Sequence, residues 1–314
     1  MELAQRGEKG DAARVVDYLK PRWDGTAGRL EVWYTTLTDR STGVGVWLHH
    51  EVIAPSSGEA AFAHGWAAVF PVDGTPVCGR FGPVPVVGCS YLVGTAEGVS
   101  WELGVRGGGR PLFTFPRWAW RREILPTAHM VSAPVASFSG VVRCGDVVHR
   151  IDDGIGATAR IYGHGNARRW CWLHADLGSG DVLEVVAGVS PRPVLRRLPP
   201  LVFLRLRVDG RDWPAGGVPL LGSRIGLPSW SVWGTIGRRR IRVEVRQPAE
   251  RTVELRYREP DGSSPAVCRN SEVADADVVL ERWRGRGGWY VERRWELRGT
   301  AHAEVGGWEG EGGR

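Results

Sequence analysis

The stretch IYGHGNARRWCWLHADLG, residues 161–178, holds two His, two Arg, two Trp, an Asn, a Cys and an Asp in one proline-free run. At helical period it has no apolar stripe. At strand period it separates into two faces. Asn166, Arg168, Trp170, Trp172, His174 and Asp176 share one face; Ala167, Arg169, Cys171, Leu173, Ala175 and Leu177 share the other. Beyond Arg169 the second face is apolar and can rest on a core. The first mixes aromatic and polar groups, the pattern of a cavity wall with a few polar contacts. An exposed strand whose Trp rings cover a sheet edge is the plainer alternative.

The surrounding chain repeats the strand signal. RLEVWYTTLTD and GVGVWLHHEVIA read as a hairpin turning at Asp39, Ser41 and Gly43. In RIRVEVR, Ile241, Val243 and Val245 oppose Arg242, Glu244 and Arg246. In WYVERRWEL, Trp289, Val291, Trp295 and Leu297 oppose Tyr290, Glu292, Arg294 and Glu296. Such alternation marks antiparallel sheet with one wet face. Many strands at short spacing predict an all-β chain of sandwich or barrel type. Only residues 2–20 suit a helix, with Leu3, Val15, Val16 and Leu19 apolar and Pro21 as its stop. RGGGRPLFTFPRWAWRREILPTAH is irregular and reads as a connection between layers. The expected organisation is an N-terminal helical segment (1–21), two β-domains (22–140 and 141–305) and a disordered tail (306–314).

Composition narrows the function classes. The 314 residues are 42% hydrophobic and 24% charged, which is globular. Sixteen Trp favour strands and concave sites. The net charge of +6 comes almost wholly from Arg, but the signs alternate along strands as on a solvated face, so no nucleic-acid partner is expected. Five Cys (78, 89, 144, 171, 268) without a CxxC pair suit a reducing compartment. No apolar leader and no run long enough to span a bilayer occurs, so the expected location is the cytoplasm. No stretch specifies an oligomeric state.

Candidate chemistry lies in short clusters. Trp47, His49 and Glu51 share a face of WLHHEV; a His beside a carboxylate among aromatic rings can move protons, and burial would raise the Glu pKa and lower that of the His. A half-buried strand with its polar groups at a rim is the alternative. His64 and Trp66 share a face of AHGW. Asn270 and Glu272 precede a strand, where turn capping explains them as well as a site does. His302 and Glu304 in TAHAEV read as a surface pair. A metal site built on His164, His174 and Asp176 lacks a further ligand, so no metal is expected. No P-loop, GxSxG or strand-turn-helix GxGxxG occurs, so no nucleotide, flavin or nicotinamide cofactor is expected.

Three segments together resemble the carotenoid 1,2-hydratase (hydroxyneurosporene synthase) superfamily, with its AttH-like lipocalin proteins and a fold shared by tocopherol cyclases and some Diels–Alderases. They are WYTTLTDRSTGVGVWLHHEV, the region FSGVVRCGD to GHGNARRWCWLHADLGSGDVLEVV, and CRNSEVADADVVLERW to GTAHAEV. The resemblance implies two consecutive lipocalin-like domains, a ligand cavity in or between them, and cofactor-free chemistry on a large apolar polyene, terpenoid or polyketide. It makes Trp47, Trp170 and Trp172 substrate-shaping, and assigns proton transfer or hydrogen bonding to His164, Asn166, Arg168, His174 and Asp176. This chain reads Gly163-His164-Gly165-Asn166 where the superfamily carries an Asp-His pair before the Asn, so alkene hydration is not the first expectation.

Two functions follow from these readings. The first is a cyclase or isomerase with His164, His174, Asp176 and Glu51 as proton-moving groups. Its substrate would rest on Trp47, His49, His64, Trp66, Asn166, Arg168, Trp170 and Trp172, with Asn270 and Glu272. The second is a non-catalytic carrier of a lipid or pigment. A structural module with two filled barrels and no cavity is a third.

Overall fold

Residues 239–246, RRIRVEVR, set the local rule: Ile241, Val243 and Val245 are buried while Arg242, Glu244 and Arg246 are exposed. Such segments recur along the whole chain, and the computed structural model is built from them. It describes residues 20–86, 92–116, 118, 120, 126–192, 194–215 and 221–308. The expected N-terminal helix lies outside these residues.

The first sheet holds β1 (Arg29–Asp39), β2 (Gly45–Ala54), β3 (Phe62–Phe70), β4 (Val77–Pro85), β5 (Val93–Ala96), β6 (Val99–Gly108), β7 (Thr127–Cys144) and β8 (Val147–Gly163), in the order β4-β3-β2-β1-β8-β7-β6-β5. The second holds β9 (Arg169–Gly178), β10 (Asp181–Val189), β11 (Leu201–Val208), β12 (Arg211–Trp213), β13 (Gly222–Arg224), β14 (Ser229–Ile236), β15 (Arg239–Arg246), β16 (Val253–Tyr257), β17 (Ala266–Trp283) and β18 (Trp289–Trp308). Its order is β12-β11-β10-β9-β18-β17-β15-β14-β13, with β16 paired to β17. Both sheets are antiparallel, and each joins its first strand to its last. The all-β, two-sheet, lipocalin-like expectation holds. The first sheet curls until its edges approach: the Glu97 amide, in the β5–β6 turn, donates to the Arg80 carbonyl on β4 at 3.0 Å.

The β1–β2 turn forms at the residues read from sequence. Asp39 accepts from the hydroxyls of Ser41 and Thr42, each at 2.6 Å, and from the Asp153 amide at 2.8 Å. Residue 140, the expected domain boundary, lies within β7, which pairs with both β6 and β8. The chain changes sheets later, over residues 164–168. The Pro-rich connection does join layers: Arg207 on β11 donates to the Arg110 carbonyl at 2.7 Å and Arg205 to the Phe113 carbonyl at 3.1 Å. Two local readings are corrected. Gly306, Gly307 and Trp308 are not a loose tail but the end of β18, with Gly306 paired to both Trp170 and Cys268. Val291 is exposed because the β17–β18 register shifts between Leu280 and Glu281, which breaks the two-residue period.

Each sheet encloses its own apolar core. Leu37, Val46, Leu48, Trp101, Phe138 and Ile151 fill the first; Leu173, Val185, Leu204, Trp230, Val243 and Val278 fill the second. The opposite faces of β1, β2 and β9 are also buried, because the two sheets press together there. Val32, Tyr34, Ile53 and Trp172 form one cluster in this seam, and Trp47, Trp66, Trp170 and Tyr257 another.

β8 is held most tightly at Gly156, which pairs with Leu37 on β1 and Ala136 on β7. A Cβ there would lie 1.9 Å from the Thr36 carbonyl oxygen. Backbone on both sides cannot yield cheaply. Gly156→Ala is expected to lower stability by about 1–3 kcal/mol. In urea unfolding the midpoint should fall while the slope is unchanged.

Candidate active site

Strand alternation aims a polar set into the seam. Trp47, His49 and Glu51 project from β2, and the register sets His49 opposite Trp66 and Glu51 opposite His64 on β3. Glu51 Oε2 lies 3.6 Å from His49 Nε2 and 3.5 Å from His64 Nε2, and neither contact is a hydrogen bond. Burial lifts the Glu51 carboxyl to about 7, with His64 opposing, and pushes His49 down to about 3. Burial also lowers His64, against the pull of Glu51. Near neutral pH this is a carboxylic acid able to give up its proton between two uncharged imidazoles.

Aromatic rings frame that acid. Tyr257 on β16 stacks on His49 with centroids 5.1 Å apart and an interplanar angle of 15°. Trp47 tilts against His49 at 5.0 Å, and Trp66 meets its edge at 5.5 Å. From the second sheet, Trp170 donates its indole N–H to Glu304 on β18 at 2.6 Å. Burial raises the Glu304 carboxyl, partly offset by that bond.

A second polar string lies alongside. His129 on β7 has Tyr34 Oη at 2.7 Å from Nε2 and Thr114 Oγ1 at 2.8 Å from Nδ1. Burial keeps His129 neutral, and the Tyr34 phenol well above its ordinary pKa. Trp172 donates to Glu184 Oε1 at 2.5 Å, and His174 Nδ1 lies 2.9 Å from Glu184 Oε2. The cavity between the sheets has a volume of about 90 Å³. Glu51, Tyr34, His129, Trp170, Tyr257 and Glu304 are in its wall. An adjoining space of about 120 Å³ shares Phe115, Thr127, Ala167, Trp170 and Val186 with it.

The candidates read from sequence therefore separate. Trp47, His49, Glu51, Asn166, Trp170 and Trp172 meet at the cavity. His64 and Trp66 stand behind Glu51 and His49 on β3. His174 is buried one layer back, reaching the wall through Glu184 and Trp172. His164 is exposed, with Nδ1 3.0 Å from Arg29 Nη1, outside the wall. Asp176 pairs with the exposed Arg40 at 2.7 Å, also outside. The Arg168 backbone donates to the Val189 carbonyl and accepts from the Trp308 amide. Asn270 and Glu272 do not cap a turn: they lie within β17 and are fully buried. Glu272 accepts from Thr36 and contacts His302, whose Nε2 lies 2.9 Å from Thr38 Oγ1. His302 and Glu304 are accordingly no surface pair; both sit in the seam.

Sequence reading missed Tyr34, His129, Glu184, Tyr257 and Glu259. Glu184 carried a signal, being a lone carboxylate in the apolar run VLEVVAGV. Glu259 holds the sheet-to-sheet loop by accepting from the Asn166 amide and side chain, each at 2.9 Å. Gly165 is required beside it: its φ is +155°, and a Cβ would lie 2.6 Å from Glu259 Oε2. Among the described residues no three His, Cys, Asp or Glu side chains group as metal ligands. Cys78, Cys144, Cys171 and Cys268 are free thiols. No helix among the described residues is long and apolar enough to cross a membrane.

Two antiparallel sheets with an acid-bearing aromatic cavity in their seam describe a lipocalin-like cyclase fold. The chain belongs to the tocopherol cyclase-like family, whose model matches residues 126–307. The uncharacterized protein Rv0493c of Mycobacterium tuberculosis (strain H37Rv) is 48% identical over 303 residues, 91% of this chain and 88% of that one. The crystal structure of CghA is similar with a TM-score of 0.60 at 12% identity, over 91% of this chain and 90% of that chain. An AttH from Nitrosomonas europaea gives a TM-score of 0.53 at 13% identity, over 92% and 100%. These structural likenesses concern the fold. Family membership supports an enzyme of cyclase type.

The raised Glu51 makes stability depend on pH in a definite direction. Below its ordinary value of 4.5 the side chain is protonated whether the chain is folded or not. Between 4.5 and about 7 only the folded chain keeps the proton, so stability falls as pH rises. Above that the full cost of a buried carboxylate is present, roughly 3 kcal/mol. Glu51→Gln abolishes this dependence. Urea unfolding from pH 4 to 8 should show the variant gaining on wild type by that order across the interval, and a constant difference would refute the assignment.

Proposed function

We propose that the chain is a cofactor-free cyclase that closes a ring in a large apolar substrate, with Glu51 as the proton donor. The observation that carries this reading is the Glu51 carboxyl, dry, protonated near neutrality and set against a wall of Trp and Tyr. A protonated acid within an apolar pocket can deliver its proton to an electron-rich alkene. The new C–H bond takes the alkene's π pair and leaves a tertiary cation on the neighbouring carbon. A substrate hydroxyl then forms the C–O bond, and its proton passes to the carboxylate, which restores the acid. Trp47, Trp170, Trp172 and Tyr257 offer ring faces that favour cationic character. Holding the chain folded removes much of the entropic barrier to closure.

The inner cavity is small beside the space a drug-sized ligand fills. It suits the reacting end of a substrate, with the tail running into the adjoining space past Phe115 and Phe203. Terpenoid, polyprenyl and polyene chains have the required shape and polarity.

Incubation with prenylated hydroquinones and linear polyenes tests the reading. In D₂O the cyclised product should carry one solvent deuterium at the protonated carbon; a pericyclic closure would incorporate none. Glu51→Gln should lower kcat by about 10²–10⁴-fold. The wild-type rate should fall roughly tenfold per pH unit above about 7, where Glu51 loses its proton. Ligand that binds saturably and returns unchanged would instead identify a carrier.

A further inference from the structure

The outer space, of about 120 Å³, is lined by Trp170, by the packed rings of Phe115 and Phe203, and by Arg192, Leu195 and Leu201. The segment at its mouth, SPRPVLRRLPPL (residues 190–201), joins β10 to β11 and contains a short 3-10 turn, Leu195–Arg197. Its apolar side chains point outward: Val194 is 83% exposed, Leu198 54%, Leu201 45% and Leu195 38%. Arg192, Arg196 and Arg197 are exposed beside them. No Asp or Glu occurs between Glu184 and Asp209.

Four apolar side chains held in water by one short segment are unusual for a soluble surface. Their company decides what covers them. A second copy placed on the patch about a two-fold axis would bring two sets of three arginines together, with no acid in the segment to separate them. An anionic lipid surface satisfies both features at once: the apolar side chains enter the acyl boundary and the guanidinium groups meet lipid phosphates.

We propose that residues 190–201 dock the protein on an anionic membrane surface, with the mouth of the apolar channel facing the lipid. Docking there lets a lipid-dissolved molecule enter the channel without crossing water. The inference stands on the exposed rim and its charge, and is independent of the ring-closing reaction: vesicle binding is read without any turnover.

Co-sedimentation of the full chain with vesicles tests it. Vesicles of equal parts phosphatidylglycerol and phosphatidylcholine should pull down the wild type, and pure phosphatidylcholine far less, with binding weakened by added salt. Arg196→Glu with Arg197→Glu should cost at least about fivefold in partitioning per arginine removed. Val194→Ser with Leu198→Ser should cost about tenfold or more. These side chains are exposed, so the thermal midpoint of both variants should match wild type. Wild type remaining in the supernatant with both vesicles would overturn the proposal, as would variants that bind like wild type. A wild-type dimer that Val194→Ser with Leu198→Ser converts to monomer would assign the patch to a second copy and overturn it equally.

Discussion

β1 and β2 have no wet face. One side of each fills the first barrel, with Leu37, Val46 and Leu48 turned inward; the other carries Tyr34, Trp47, His49 and Glu51 into the contact with the second sheet. An antiparallel strand commonly solvates one side. Denying these strands that side forces every polar group on it to find a partner inside the protein or to change its protonation. The seam's chemistry follows from that constraint. Glu304 takes an indole N–H, Glu184 an indole and an imidazole, and Glu272 a threonine hydroxyl. Burial raises Glu304 and Glu272 even with these partners; Glu51, with two imidazoles beyond bonding reach, is lifted to about 7.

The same constraint explains why the cavity lies between the barrels. Each barrel interior is closed by large side chains, such as Trp101 and Phe138 in the first and Trp230 in the second. Where two convex sheet surfaces meet, the fit is incomplete, and rigid rings leave gaps that aliphatic chains would fill. Indoles and imidazoles lining such a gap give a space whose shape is fixed by strand register. Trp170 and Trp172 are two residues apart on β9, and their hydrogen bonds to carboxylates on β18 and β10 prevent either ring from turning into the void.

Strand period revealed much of this in advance. The faces assigned to residues 170–175 and to WLHHEV are those observed along the strands, and Trp47, His49, Glu51, Trp170 and Trp172 share one wall; ahead of β9 the alternation fails, since Asn166 and Ala167, read on opposite faces, both line the cavity. Period assigns a residue to a face but says nothing of what that face meets. TAHAEV therefore read as a surface pair, although β18 is covered on both sides where His302 and Glu304 lie. Asn270 and Glu272 read as either a capped turn or part of a site, because polar residues in sequence suggest an edge, whereas both lie within β17. His164 and Asp176 lie where residues 161–178 leave the seam at either end, so likeness to the Trp residues in sequence did not carry over to position. The bulge that exposes Val291 has no local signal at all; it is set by pairing with β17.

Closure of each sheet by its first and last strands has a consequence for how the protein is made. β9 pairs with β18, so His174 meets His302 across well over a hundred residues of chain. Pairings this distant are slow to form and come late. During synthesis the first sheet can close once β8 has emerged, with its seam side bare and rich in Trp and Tyr. Glu304 and the strand that carries it arrive only after β9 to β17. Until then the outer faces of β1 and β2 are an open aromatic surface, and the nascent chain is most exposed to self-association at the very place where the finished protein is driest.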